Sequence, residues 1–132
     1  MTSPSHDVEE LLDRYAAAWN GHDLDAIMAE HTPDTVFQLH IGEPEAVGLA
    51  AVRAAFAATL EQWPDIHFEA QDVRLGADHA ALRWTITMQQ VRFDAVDVLV
   101  FDGGRIARKD TYVDSISLQE QLAVQPAAAG AS

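Results

Sequence analysis

The run Ala95-Val96-Asp97-Val98-Leu99-Val100-Phe101 constrains the fold more than any other stretch of the chain. Its residues alternate as in a strand, with Asp97, Leu99 and Phe101 on one face and Val96, Val98 and Val100 on the other. Both faces are apolar, so both call for cover. Helices can cover one. The other needs a second layer, and a chain of 132 residues has material for about one core. The expectation is a homodimer contact through that outer sheet face.

The rest of the pattern supplies the helices. Val8, Leu11, Leu12, Tyr15 and Trp19 form one stripe of an amphipathic helix, with Asp7 and Glu10 spaced as a capping box and Gly21 as the stop. A second, short helix is predicted from Asp23, with Leu24, Ile27, Met28 and His31 on one face and Thr32-Pro33-Asp34 as its end. A third runs from about Leu49 to Gln62, on a stripe of Leu49, Val52, Phe56 and Leu60, and Pro64 stops it. Thr35 to Ile41 reads as extended. Strands are predicted at 67–75, 80–91, 95–101 and 105–114, with turns at Gly76-Ala77-Asp78 and Asp102-Gly103-Gly104. Helices followed by sequential hairpins imply an α+β domain, with helices packed on one face of an antiparallel sheet. The domain is expected over 1–125, with 126–132, all Pro, Ala, Gly and Ser, as a disordered tail.

Composition narrows the function. The formal net charge is −13, from 21 acidic and 8 basic side chains. That argues against nucleic acid and against anionic membrane surfaces as partners, since both need clustered Lys and Arg. With no cysteine, thiolate chemistry and thiolate metal sites are excluded. No secretory signal and no membrane-length apolar run is visible, so a cytoplasmic location is expected. The six histidines form no paired metal motif, and no glycine-rich nucleotide loop or serine-hydrolase elbow is present. No metal and no cofactor is expected.

Asp97 is the sharpest anomaly, because an ionised carboxylate among valines is costly unless it is paired or protonated. It reads either as a strand residue paired with a cation or as a neutral acid donating a hydrogen bond into a pocket. Tyr15, on the buried helix stripe, needs a partner for its hydroxyl. Lys109 is the only lysine, and alternation places it with Thr111 and Val113, opposite Arg108, Asp110 and Tyr112. His67 is the histidine best placed by residue type to carry a proton. Trp19, Trp63, Trp84, Phe37, Phe56, Phe68 and Phe101 could together line an apolar cavity, although each alone reads as core.

Three stretches carry a family likeness: Tyr15 through Ile27, Gly48 through Phe56 and Val96 through Ile106. Over about residues 8 to 120 the chain resembles the nuclear transport factor 2-like superfamily, in particular ketosteroid isomerase and the SnoaL-like polyketide cyclases. The resemblance implies a cone of curled antiparallel sheet closed by three N-terminal helices around a deep pocket, and dimerisation through the outer sheet face. It sets Tyr15 and Asp97 where ketosteroid isomerase has its oxyanion-hole tyrosine and protonated aspartic acid. It sets Leu39 where that enzyme has its catalytic base, and Phe56 where an aromatic residue supports the tyrosine. Leucine cannot move a proton, so ordinary ketosteroid isomerisation is not expected. His67 and Lys109 fall on pocket-facing positions as replacement proton carriers, with Trp84, Ile86 and Met88 beside them. Arg92, Asp94 and Asp114 copy the set of limonene epoxide hydrolases only poorly.

The expected protein is an acid–base enzyme of isomerase or cyclase type that acts on an apolar, ring-like carbonyl compound. Tyr15, Asp97, His67 and Lys109 are its candidate catalytic residues. Trp19, Phe37, Leu39, Phe56, Trp63, Trp84, Ile86, Met88, Leu99, Phe101 and Val113 are expected to line the ligand site. The alternative is a non-catalytic ligand-binding or dimeric interaction protein of the same fold that has lost its base.

Overall fold

The structure, a computed structural model, describes residues 4–124. The predicted tail at 126–132 lies outside the described residues. Along the chain the elements are α1 (Pro4–Asn20), α2 (Leu24–Ala29), β1 (His31–Leu39), β2 (Ala46–Val47), α3 (Leu49–Gln62), β3 (His67–Leu75), β4 (His79–Met88), β5 (Val91–Asp102), β6 (Arg105–Val113) and α4 (Ser115–Ala123). The strands form one sheet in the order β2-β1-β6-β5-β4-β3. No described helix is long and apolar enough to cross a membrane.

The α+β architecture is the expected one, and the sheet curls around the helices as a cone. It is mixed rather than wholly antiparallel, because β1 runs parallel to β6 while the other pairings are antiparallel. That pairing joins the first strand to the last, so no local hairpin pattern announces it. Its register slips between His31 and Val36, the stretch that contains Pro33. Proline has no N–H to give a ladder, so a break there is its natural site.

Several element ends differ from the expectation. Helix α1 begins at Pro4, so Asp7 and Glu10 lie inside it and do not form its capping box. It ends at Asn20, but the left-handed residue is His22 (φ 55°), not Gly21, and the Asp23 N–H reaches back to the Ala18 carbonyl at 3.0 Å. Asp23 caps α2 through its side chain, which accepts from the Ala26 N–H at 3.1 Å. Helix α2 stops at Ala29, so His31 opens β1 instead of completing the helix face. The predicted strand over 80–91 is cut by a hairpin turn at Gln89 and Gln90, both at positive φ (50° and 67°). Such turns favour Asn-Gly, and two glutamines give no warning of one. Asp102-Gly103-Gly104 turns as expected, with both glycines at positive φ. Helix α4 was not foreseen.

The core lies between the helices and the inner sheet face. Leu11, Tyr15 and Trp19 of α1, Ile27 of α2, and Val52 and Phe56 of α3 meet Leu82, Trp84 and Ile86 of β4 and Ala95 and Leu99 of β5. Each such side chain contributes roughly 1.5–3 kcal/mol by leaving water. On the outer face, Val96 and Val98 are half-buried and Val100 and Tyr112 are exposed.

Candidate functional site

Strand alternation on β5 and β6 sets the site. Asp97 pairs with Thr111 across the two strands, and Leu99 pairs with Lys109, so all four point to the inner face beneath the helices. Asp97 and Lys109 are each 6% exposed. The Lys109 ammonium stands 3.7 Å from Asp97 Oδ2. Trp84 Nε1–H donates to Asp97 Oδ2 at 2.9 Å, and the Thr111 hydroxyl donates to Oδ1 at 2.5 Å. Asp97 thus has the Trp84 N–H, the Thr111 hydroxyl and the Lys109 ammonium beside it. These are the partners that make a carboxylate tolerable among valines.

Lys109 joins this group to a second one. Its ammonium donates to the Tyr15 hydroxyl at 3.2 Å. That oxygen lies 2.8 Å from His31 Nε2, and His31 Nδ1 lies 2.9 Å from Thr35 Oγ1. With Lys109 filling an acceptor lone pair, the hydroxyl hydrogen goes to His31 Nε2, and His31 Nδ1–H goes on to Thr35. Burial pushes the His31 imidazole down to about 3, and the Lys109 charge adds to the effect, so the ring is neutral near pH 7. Burial also pushes the Tyr15 hydroxyl up, and the Lys109 ammonium offsets this only in part. For Lys109 itself burial works against the charge, but Asp97 and Tyr15 outweigh it and hold the ammonium above the usual lysine value. Four rings surround it: Nζ lies 4.8 Å from the centre of Tyr15, 4.7 Å from Trp19, 6.0 Å from Phe37 and 5.1 Å from Phe56.

A cavity of about 350 Å³ opens above the pair. Its walls include the expected Trp19, Phe37, Leu39, Phe56, Trp63, Trp84, Ile86, Met88 and Val113. Asp97, Lys109 and Thr111 are the polar groups at its buried end, and Glu43 and Gln62 lie on the exposed rim. Apolar walls with a few convergent polar groups are the usual make-up of a small-molecule site.

Four expected site residues stand elsewhere. Tyr15 lies behind Lys109 and is not a cavity wall, so Tyr15 and Asp97 do not converge on one point in the cavity; Lys109 sits between them. His67 is exposed: Phe68 pairs with Ile86 on the inner face, which turns its neighbour His67 outward, away from the cavity. Leu99 is 1% exposed in the core, past the cavity's buried end. Phe101 is about 13 Å along the strand from Asp97, at 3.3 Å per residue. It lines a separate cleft of about 590 Å³ with Asp7, Glu10, Arg14, Asp78 and Asp102. That cleft is wider, but its charged lining is a solvated rim without a buried polar cluster, so the aromatic cavity is the candidate site.

Sequence reasoning missed His31, Thr35 and Thr111 as site partners. His31 was hidden by its spacing, which continues the α2 stripe. Thr111 was open to view, since alternation already set it beside Lys109. Leu118 of α4 also borders the cavity, and Gln121 of that helix accepts from the Arg92 N–H at 2.9 Å and donates to the Arg92 carbonyl at 2.5 Å.

A family model described as SnoaL-like domain matches residues 12–109. Among solved structures, a proposed SnoaL-like polyketide cyclase from Jannaschia sp. CCS1 superposes with a TM-score of 0.81 at 17% identity, over 96% of this chain and 99% of that one. AclR, a proposed hydroxylase from Streptomyces galilaeus, gives 0.76 at 25% identity, over 94% of this chain and 89% of that one. A proposed ketosteroid isomerase from Kribbella flavida DSM 17836 gives 0.72 at 17% identity, over 82% and 78%.

Proposed function

Since the chain belongs to the SnoaL-like domain family, with the fold of its polyketide cyclases, we propose that it is an acid–base enzyme for an apolar, ring-like carbonyl compound. The observation that carries this reading is the Asp97–Lys109 pair at the buried end of an aromatic cavity. The ligand ring lies among the aromatic walls with its carbonyl oxygen toward Lys109. Asp97 accepts the proton from the carbon beside the carbonyl; the C–H electrons pass to oxygen, and the Lys109 ammonium opposes the charge that develops there. Tyr15 holds Lys109 from behind. Return of the proton to another carbon gives an isomerase; attack of the enolate carbon on a second carbonyl gives a cyclase.

A second reading is a ligand-binding protein without turnover. Leu39 favours it: it lies on the cavity wall, at the position where the resemblance to ketosteroid isomerase implies a base. A panel of cyclic ketones and 1,3-dicarbonyl compounds, assayed for turnover and for binding by tryptophan fluorescence, separates the two. For an enzyme, Asp97→Asn should lower turnover about a hundredfold or more while retaining binding, and Lys109→Met should weaken both. Binding across the panel with no turnover supports the second reading. We also propose a second copy of the chain as the partner that covers Val96, Val98, Val100 and Tyr112 on the outer sheet face.

A further inference from the structure

We infer that His31 is a positioning residue: by taking the Tyr15 hydroxyl hydrogen it turns a lone pair of that oxygen to the Lys109 ammonium, and so sets where the other ammonium hydrogens point. The inference deepens the carbonyl-ligand reading above and, as far as the ligand is concerned, rests on it. His31 opens β1 and is buried. Neither His31 nor Tyr15 is a wall of the cavity, so His31 acts only through other side chains.

The direction of the hydrogen bonds carries the inference. His31 Nε2 lies 2.8 Å from the Tyr15 oxygen, and Nδ1 lies 2.9 Å from Thr35 Oγ1, with all three side chains buried. A neutral imidazole has one N–H, so two orders are open. In one, Nε2–H donates to Tyr15 and the Thr35 hydroxyl donates to Nδ1. The Tyr15 oxygen then receives hydrogens from both His31 and Lys109, and its own hydrogen is left without an acceptor among these partners. The nearby Trp19 indole N–H favours an ionised Tyr15 and offers it no lone pair. In the other order, Tyr15 donates to Nε2 and Nδ1–H donates to Thr35, and each of these hydrogens is met. Leaving a buried hydroxyl hydrogen unmet is costly, so the second order holds. Burial and the Lys109 charge hold the imidazole neutral, with a pKa of about 3, and its Nε2 lone pair stays free to accept.

Lys109 needs this anchor. Its ammonium has three hydrogens. One goes to the Tyr15 oxygen at 3.2 Å, which leaves two for the side where Asp97 stands at 3.7 Å and the cavity opens. The four surrounding rings attract the cation but do not fix where its hydrogens point. Without the acceptor on His31, the Tyr15 hydrogen turns toward the ammonium and the anchor is lost.

The test is side-chain 15N NMR with an exchange assay. In the unaltered protein His31 should carry its hydrogen on Nδ1, with a bare Nε2; a hydrogen on Nε2 overturns the inference. The His31 signals are those that vanish in His31→Gln. Lys109 is the only lysine, so 15Nζ-lysine labelling gives one ammonium signal. His31→Phe, which keeps a ring and loses the acceptor, should move or broaden it, and His31→Gln, whose carbonyl oxygen accepts the Tyr15 hydrogen, should restore it. Deuterium uptake from D2O beside the carbonyl of 1-tetralone reads enolisation. His31→Phe should slow it about tenfold at saturating ketone with affinity within about twofold, a smaller loss than removal of a donor that touches the ligand, and His31→Gln should recover most of the rate. An unchanged ammonium signal and rate in His31→Phe overturns the positioning role and leaves the carbonyl reading standing. If the unaltered protein neither binds 1-tetralone nor exchanges it, that reading falls, and the nitrogen signals alone decide whether His31 holds Lys109 through Tyr15. Should His31→Phe fail to fold, the position of the His31 hydrogen in the unaltered protein decides.

Discussion

At the scale of single residues, Asp97 and Lys109 exist in this core because of each other. A buried charge without its partner costs several kcal/mol, whereas an apolar replacement of the pair can be nearly neutral. Asp97→Ala and Lys109→Met should therefore each destabilise by about 3–5 kcal/mol, and the double variant by clearly less than the two together. Urea unfolding of the four proteins checks this; strict additivity would mean that the 3.7 Å pair is not energetically coupled. Asp97 was legible in the sequence as an anomaly, because an acid among valines demands a partner. Which partner it takes was not legible. Lys109 lies one strand over, and only the register of β5 on β6 brings it inward. The assignment to His67 failed for a parity reason: a shift of one residue on a strand reverses the face.

At the scale of elements, periodicity was a good guide where Pro64, Gly76 and Gly103-Gly104 closed the segment, but not at Pro33, which lies inside β1. Helix α3 has its predicted bounds, β3 likewise, and the β5–β6 turn falls on its two glycines. The failures share a cause, which is local chemistry that carries no sequence mark. The Gln89-Gln90 turn is left-handed without glycine, and its Gln89 N–H is taken by Asp65 at 2.8 Å, a contact from another part of the chain. Helix α4 has no buried residue and thus no full apolar stripe. It is held by Asp114, which caps it through the Ser117 N–H, and by Gln121, whose amide continues the edge of β5 where β6 has ended. The outer face of β5 is the element-scale test of self-association. Val98→Arg should convert a dimer to a monomer in sedimentation velocity at micromolar concentration; a wild-type protein that is already monomeric would remove the proposed contact.

At the scale of the whole molecule, the net charge of −13 is unevenly placed, with acids crowding the helical first quarter of the chain. The buried Asp97–Lys109 pair contributes no net formal charge to the field outside. The response to acid is then set partly by His31. Its folded pKa of about 3 lies below the unfolded value near 6.5, so the unfolded chain binds a proton that the native state refuses. Its contribution is complete above about pH 6.5 and is lost as pH falls toward 3, with a slope of at most about 1.4 kcal/mol per pH unit. The unaltered protein should lose more stability between pH 7 and 4 than His31→Gln does, by denaturant titration across that range. Parallel curves would show that the ring is not held neutral.

Lys109 is also the chain's only lysine, and it is buried. Cations on the exterior are therefore arginines, which ordinary amine reagents do not touch. Acylating dyes, aldehyde fixatives and bis-succinimidyl crosslinkers will find no lysine on the outside of the folded domain, so a dimer joined through the sheet offers them no lysine pair to bridge. The same selectivity makes acylation of this one side chain a gauge of access to the buried end of the cavity: a reagent too large to enter the cavity can reach it only when the helices part from the sheet.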